Sequence, residues 1–142
     1  MLCDLGQGKI LDRGVSSTLG VPYGPILYRP PEVKKGKPYT AESDIYCFGC
    51  LIYVLVERVL SSSGSTKVPL KLWGLYEGCA HNCPSERPKI LTVVYKINAL
   101  RDDLKEGTMQ MVDIMDLATH RQEELSNVHE RFSSFNIDVS DI

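Results

Sequence analysis

The fold is decided by the stretch from Asp4 to Glu32, which reads DLGQGKILDRGVSSTLGVPYGPILYRPPE. It begins with Asp4-Leu5-Gly6 and ends with Pro30-Pro31-Glu32, and residues 12–26 between these motifs are rich in Gly, Ser and Pro. This composition is typical of a surface loop. The stretch therefore predicts a long loop that is held between two short motifs.

The rest of the pattern predicts helices. Residues 44–60 form the most apolar run, and apolar residues recur at helical spacing over 70–80 and 88–100. Residues 1–4 are expected to end one strand and residues 9–11 to form a short second strand. The predicted fold class is therefore mainly α, with a short β hairpin at the N-terminus.

Two further motifs follow the opening stretch. Residues 43–49 read SDIYCFG, and residues 83–88 read CPSERP. The four motifs occur in the order in which protein kinases carry D-F-G, A-P-E, the S-D-[IV]-[WY]-S-[FY]-G opening of helix F, and P-x-x-R-P. The chain resembles this family from residue 2 to about residue 100, although Leu5 and Pro30 replace the family's Phe and Ala.

The resemblance implies the latter part of a helical kinase C-lobe. Residues 1–101 would form a partial kinase domain, and residues 102–142 a helical tail. Phosphoryl transfer also requires a Gly-rich loop, a lysine with its glutamate partner and a catalytic-loop Asp, and none of these precedes the D-L-G motif in this sequence. We therefore expect no catalysis by this fragment itself, and expect ATP and Mg²⁺ to serve a complete parent domain that phosphorylates protein hydroxyl groups.

The resemblance also assigns roles to single residues. Asp4 matches the family's Mg²⁺-binding Asp, and a carboxylate is the hard oxygen ligand that this ion prefers; the alternative is an exposed turn residue. Glu32 and Arg87 match a buried ion pair, and Asp44 matches an Asp that accepts backbone hydrogen bonds from the catalytic loop. The positions that match structural residues of the family are Gly6, Glu32, Asp44, Gly49 and Arg87.

Four hydroxyl side chains lie where kinases are commonly phosphorylated. A phosphate there would add roughly −1.5 to −2 charge and order the loop; the alternative is a plain polar loop. The candidate phosphorylation sites are Ser16, Ser17, Thr18 and Tyr23.

The sequence leaves open whether the parent enzyme phosphorylates Ser/Thr or Tyr hydroxyl groups. Pro25-Ile26 resembles the P-[IV] of tyrosine kinases, and Pro25 stands where Ser/Thr kinases carry a Thr, so the resemblance favours a tyrosine-kinase-like branch. Leu27 replaces the basic residue that tyrosine kinases place next.

A second function is also open, a pseudokinase or scaffold that binds protein partners without catalysis. The altered Pro30 and a shortened segment over 61–69 favour this alternative.

Composition and cysteine usage limit the remaining possibilities. Charged residues make up 24% of the chain and the formal net charge is −2, so no nucleic-acid partner is indicated. Five cysteines, an odd number, favour a reducing compartment and hence a cytoplasmic location, or the cytoplasmic part of a receptor. Cys47 and Cys50 are expected to pack in the core, as is Cys79, rather than to bind zinc.

Two expectations concern longer segments. The apolar run over 44–60 is shorter than the roughly 20 residues that span a bilayer, so no membrane segment is predicted. Apolar residues after 101 follow a broken 4-3 spacing that favours a helix folded on its own domain, or a weak partner-binding helix, over a stable coiled coil. Self-association through this tail or through exposed lobe surface is expected. The seam residues are Leu104, Met111, Met115, Ala118, Leu125 and Phe132.

Overall fold

The computed structural model describes residues 28–119, and it is mainly helical, as predicted. The predicted N-terminal hairpin over residues 1–11 lies outside this range. In chain order the elements are α1 (Pro31–Lys34), α2 (Ala41–Ser63), β1 (Lys67–Pro69), α3 (Leu70–Cys79), a 3₁₀ turn (Pro84–Glu86), α4 (Ile90–Glu106), β2 (Met111–Asp113) and α5 (Ile114–Thr119).

Helix α2 is longer than the predicted 44–60 at both ends. At its start the Thr40 N–H donates to Ser43 Oγ at 3.1 Å, which satisfies one of the free amides of the first turn. At its end Gly64 has a φ of +64° and its N–H donates to the Leu60 carbonyl, a common helix stop. The apolar run therefore stops short of the helix end, because the polar residues 61–63 complete the last turn of α2.

Because α2 is longer than predicted, its length no longer argues against a membrane span. With 23 residues, α2 is long and apolar enough to cross a membrane by length and composition alone. Eight of its residues are nevertheless buried, and its inner face packs on α3, as the core helix of a globular domain does. The absence of a membrane segment stays a prediction, which burial now supports better than length.

The core lies between α2 and α3. The rings of Tyr53 and Tyr76 lie 5.3 Å apart, and the Trp73 ring packs edge-on against Tyr76 at 5.0 Å. Leu75 and Cys79 are almost completely buried. Such aromatic contacts add about 0.5–1.5 kcal/mol each beyond area burial, so they strengthen the α2–α3 interface.

The segment after α3 differs most from expectation. Helix α4 runs to Glu106 and ends at Gly107, which has a φ of +68°, so the predicted boundary between residues 101 and 102 falls inside a helix. The chain then returns, and β2 pairs antiparallel with β1, with Val112 opposite Val68. Within the described residues the 4-3 spacing does not lie on one helix, because Leu104 lies in α4, Met111 in β2 and Met115 in α5.

Side-chain contacts support this short sheet. The Thr66 hydroxyl donates to Asp113 Oδ2 at 2.7 Å, and the Asp113 Oδ1 accepts from the Met115 N–H at 2.9 Å. Val112 packs at the edge of the core. The sheet thus fastens the residues that follow α4 to the start of α3.

Candidate functional site

The best-defined polar cluster in the described region is centred on Glu32. Pro30 and Pro31 start helix α1 with the fixed backbone geometry that suits a first helical position. The following loop returns through Gly36, whose φ is +79°, so that the Lys37 N–H donates to the Glu32 carbonyl at 3.0 Å. This local structure directs a carboxylate into the interior, where Glu32 is buried.

Arg87 lies directly after the 3₁₀ turn and meets this carboxylate in a two-point contact. Its Nη1 and Nη2 donate to Oε1 and Oε2 of Glu32, each at 2.7 Å. The Arg87 side chain has no exposed surface, and that of Glu32 is only 7% exposed. A guanidinium and a carboxylate match in this geometry, which is among the strongest that side chains form.

The other donors of Arg87 are also used. Its Nε donates to the His81 carbonyl at 2.8 Å, Nη1 to the Glu42 carbonyl at 2.9 Å, and Nη2 to the Asn82 carbonyl at 3.5 Å. All five N–H groups of a guanidinium therefore have an acceptor. The Cζ atom of the Arg87 guanidinium also lies 4.9 Å from the Tyr46 ring centroid, within reach of a cation–π contact.

Ser43 completes the site from α2. Its hydroxyl donates to Glu32 Oε1 at 3.1 Å and is fully buried. Burial alone would raise the pKa of Glu32, but the hydrogen bonds from Arg87, and a further one from Ser43, hold the pKa below its usual value of 4.5. The cluster therefore joins α1, the start of α2 and the loop after α3 through one ionised pair.

The predicted structural residues are only partly brought together. Glu32 and Arg87 pair, whereas Gly49 lies one turn along α2 from this cluster and packs against Cys79 and Ala80. Within residues 28–119 the carboxylate of Asp44 makes no hydrogen bond or ion pair and lies at the exposed start of α2. Partial burial raises the pKa of Asp44. Sequence reasoning missed the contacts that Ser43, Tyr46 and three backbone carbonyls make with the ion pair. Ser43 and Tyr46 belong to a motif, whereas the three carbonyls do not.

The remaining predicted site residues lie outside the described range. Asp4, Gly6 and the four candidate phosphorylation sites (Ser16, Ser17, Thr18 and Tyr23) all precede residue 28. Among residues 28–119, no group of three or more His, Cys, Asp or Glu side chains is placed to hold a metal ion.

The cysteines differ in environment. Burial raises the pKa of the Cys79 thiol, and of the half-buried Cys47 thiol, to about 11, so neither forms a reactive thiolate at neutral pH. Cys50 is buried as predicted, and Cys83 is exposed. The hydroxyl of Ser85 lies 3.1 Å from the Cys83 sulfur and lowers the pKa of that thiol.

Comparison with known proteins gives several curated relatives, all of which are named protein kinases. No family model matches the chain, and no solved structure matches it. A probable serine/threonine-protein kinase of Dictyostelium discoideum is 25% identical over 118 residues, which cover 70% of this chain and 13% of that protein. A mitogen-activated protein kinase kinase kinase of Caenorhabditis briggsae is 23% identical over 131 residues, covering 79% of this chain and 23% of that protein.

A third relative, serine/threonine-protein kinase A of Synechocystis, is 23% identical over 142 residues, covering 84% of this chain and 27% of that protein. The chain thus spans roughly a quarter or less of the length of these relatives. None of the three is named a tyrosine kinase, so their names give no support to the tyrosine-kinase-like branch. The similarity to these relatives is low in identity but extends over most of the chain, and it supports a relationship between this chain and protein kinases.

Proposed function

We propose that this chain is the latter part of a protein-kinase C-lobe, whose complete parent transfers the γ-phosphoryl group of ATP to a hydroxyl group of a protein substrate. The observation that supports this most strongly is the ion pair between Glu32 and Arg87. It joins the P-P-E and P-S-E-R-P motifs across 55 residues of sequence, and the sequence alone matches both motifs to the family.

The pair has a clear part in such a lobe. Residues 4–32 would form the activation segment, and Arg87 fixes the end of this segment to the loop between α3 and α4 through Glu32. Because every donor of Arg87 is used, the attachment point is rigid. A segment that changes conformation on phosphorylation needs a fixed end of this kind.

The residues before position 28 would carry the chemistry. Asp4 would hold Mg²⁺ through its carboxylate, and the ion would neutralise charge on the phosphates of ATP. Phosphorylation of Ser16, Ser17, Thr18 or Tyr23 would order the activation segment. Pro25-Ile26 supports a tyrosine-kinase-like branch, whereas the printed names of the relatives are those of serine/threonine kinases, so the proposal covers both acceptor types. We place the protein in the cytoplasm, or in the cytoplasmic part of a receptor, because five cysteines, an odd number, are atypical of a disulfide framework.

The first prediction concerns phosphotransfer. The 142-residue chain, incubated with labelled ATP, Mg²⁺ and acceptor peptides containing Ser, Thr or Tyr, is expected to transfer no label above background, because it supplies only one of the required metal and phosphate contacts. The longest polypeptide encoded at the same locus is expected to transfer label, and Asp4→Asn in that polypeptide to reduce the rate by more than about 100-fold.

The matched control is Asp12→Asn, which changes an Asp of the same segment that matches no metal ligand and should leave the rate nearly unchanged. Equal losses from both substitutions would contradict the role of Asp4. A long polypeptide that folds but transfers no label to any of the three acceptors would overturn the catalytic proposal and favour the pseudokinase or scaffold alternative.

A second prediction uses Asp44. In a complete lobe this carboxylate would accept backbone hydrogen bonds from the catalytic loop, as the resemblance implies. In the 142-residue chain, Asp44→Asn is expected to leave the free energy of unfolding unchanged or to raise it by up to about 0.5 kcal/mol at pH 7, because a charge without a partner in the described region is removed. In the long polypeptide the same substitution should lower stability and activity. Urea unfolding of both chains measures the difference, and a clear loss in the short chain would contradict this account of Asp44.

A further inference from the structure

A cluster of lysines directly follows the buried carboxylate of the ion pair. Residues 34–38 read KKGKP, all five are exposed, and we call them the lysine loop. Lys35 and Lys37 make no ion pair with any residue between 28 and 119. Glu32 is the only acidic residue from position 28 to position 41, and its carboxylate is used by Arg87. The positive charges of Lys35 and Lys37 therefore face solvent and are not neutralised by their own segment.

Backbone hydrogen bonds hold the lysine loop against α1. The Lys35 N–H donates to the Glu32 carbonyl at 3.2 Å, and the Lys37 N–H donates to the same carbonyl at 3.0 Å. Gly36 provides the left-handed turn between them, with a φ of +79°. Because Glu32 is itself fixed by Arg87, the two lysines extend from a rigid base. A ligand that binds them has to order little more than their side chains, which lowers the entropic cost of binding.

The amount of charge fits a short acidic peptide better than a membrane or a nucleic acid. Basic clusters that bind membranes carry about 4–8 Lys or Arg residues, and duplex DNA presents one negative charge per roughly 1.7 Å. The lysine loop has three lysines, and the whole chain has a net charge of −2, so a large polyanion would be repelled around the loop. The next acidic residue along the chain, Glu42, forms no ion pair within the described region. The loop is therefore open to a few carboxylates of an extended peptide.

The lysine loop lies close in the chain to the segment that would meet the acceptor hydroxyl. By the resemblance, Pro25-Ile26 belongs to the part that distinguishes acceptors, and the Tyr28 carbonyl accepts from the Cys47 thiol of α2 at 3.4 Å. Two residues and the four-residue helix α1 separate Tyr28 from Lys35. At roughly 3.4 Å per extended residue and about 1.5 Å per helical residue, this path spans at most about 20 Å. An extended substrate peptide covers the same distance in about six residues.

We propose that the lysine loop binds acidic residues of a protein substrate, within about six positions of the hydroxyl group that is phosphorylated. This inference rests on the proposed function and names its substrate class, proteins that carry Asp or Glu close to the acceptor. Lys35 and Lys37 would each pair with a substrate carboxylate at the protein surface, where salt weakens such contacts. Neither lysine would touch the reacting atoms, so both determine specificity and take no part in the chemistry.

Peptide binding tests the lysine loop without requiring catalysis. At low salt the 142-residue chain is expected to bind a fluorescent peptide that contains Asp-Glu-Asp-Glu, and fluorescence anisotropy should show about tenfold weaker binding of the same peptide with Asn-Gln-Asn-Gln. Lys35→Gln combined with Lys37→Gln should weaken binding of the acidic peptide by about tenfold, since exposed ion pairs are individually weak. The matched control is Lys89→Gln combined with Lys105→Gln, which removes two exposed lysines elsewhere and should change the affinity less than about twofold.

Three outcomes of this experiment would overturn the proposal. The first is equal binding of the two peptides, or no binding of the acidic peptide at about 1 mM chain. The second is an equal loss of affinity from the two pairs of substitutions. The third is tighter binding of a DNA duplex than of the acidic peptide, which would assign the loop to nucleic acid. Circular dichroism should show the same helix content in all variants, because both lysines are exposed.

The longest polypeptide encoded at the same locus separates this proposal from the proposed function. Its kcat/KM should be about tenfold higher for an acceptor peptide with the acidic run than for the amide counterpart. Lys35→Glu combined with Lys37→Glu should reverse this preference in favour of a peptide with a run of lysines, and should leave kcat/KM for the amide peptide unchanged. Transfer without any acidic preference would overturn the substrate class and leave the catalytic proposal intact. Binding of the acidic peptide without transfer would overturn the catalytic proposal and keep the lysine loop as a peptide-binding site.

Discussion

Arg87→Ala is expected to lower the free energy of unfolding by about 3–5 kcal/mol, because it leaves the buried Glu32 carboxylate without its counter-ion. Glu32 would keep one hydrogen bond from Ser43, which cannot compensate a desolvated negative charge. The carbonyls of His81 and Glu42 would lose their donors at the same time. Urea unfolding followed by circular dichroism measures the loss.

The control is an ion pair of the same length in a different environment. Lys71 Nζ and Asp103 Oδ2 also lie 2.7 Å apart, but the Lys71 side chain is 58% exposed, and exposed pairs contribute about 0–1 kcal/mol. Lys71→Ala should therefore have a small effect, and Lys35→Ala, on the exposed loop after α1, should stay within about 0.5 kcal/mol. Equal, small effects from all three substitutions would contradict the buried site and the proposed kinase-lobe fold.

The same pair predicts a dependence on pH. The folded-state pKa of Glu32 is lowered below 4.5, so unfolding takes up a proton between the two pKa values. The stabilisation from the pair is present above pH 4.5 and is lost as the pH falls through the folded-state value. Glu32→Gln should remove this part of the acid sensitivity, so that its stability falls less steeply below pH 4.5 than that of the unmodified chain. Parallel curves would show that other carboxylates dominate acid unfolding.

The sequence predicts an element of this structure well when its apolar pattern is long. Helices α2, α3 and α4 were expected near their observed positions, because each carries several turns of apolar periodicity. Their ends were less well placed, since Gly64 and Gly107 stop the two longer helices through a single residue each. One glycine in a polar segment is a weak signal when it is read alone.

The β1–β2 pair could not have been predicted. Each strand has three residues, β1 ends in Pro69, and the two are separated by more than forty residues that include α3 and α4. No alternating pattern forms over so short a run. The pairing of Glu32 with Arg87 was expected only because family motifs contain both residues, and the backbone carbonyls around Arg87 have no sequence signature because every residue supplies one.

Gly49 illustrates the opposite case, a residue whose importance is visible from both sequence and structure. It belongs to the S-D-I-Y-C-F-G motif and lies inside α2, where glycine is about 0.5–1 kcal/mol less favourable than alanine. A Cβ added there would lie 2.8 Å from the Ala80 nitrogen and 3.0 Å from the Cys79 Cβ. The nearest of these atoms belongs to the backbone, which cannot rotate away, so the end of α3 would have to move.

We therefore expect Gly49→Ala to lower the free energy of unfolding by about 2–3 kcal/mol, because strain at the α2–α3 contact exceeds the gain in helix propensity. The control is Gly74→Ala in α3, where a Cβ would meet no atom within 4 Å. That substitution should raise stability by about 0.5–1 kcal/mol through propensity alone. Opposite signs for one chemical change at two helical glycines would locate the close packing of α2 on α3 at Gly49. A gain in stability at both positions would mean that the two helices do not approach each other there.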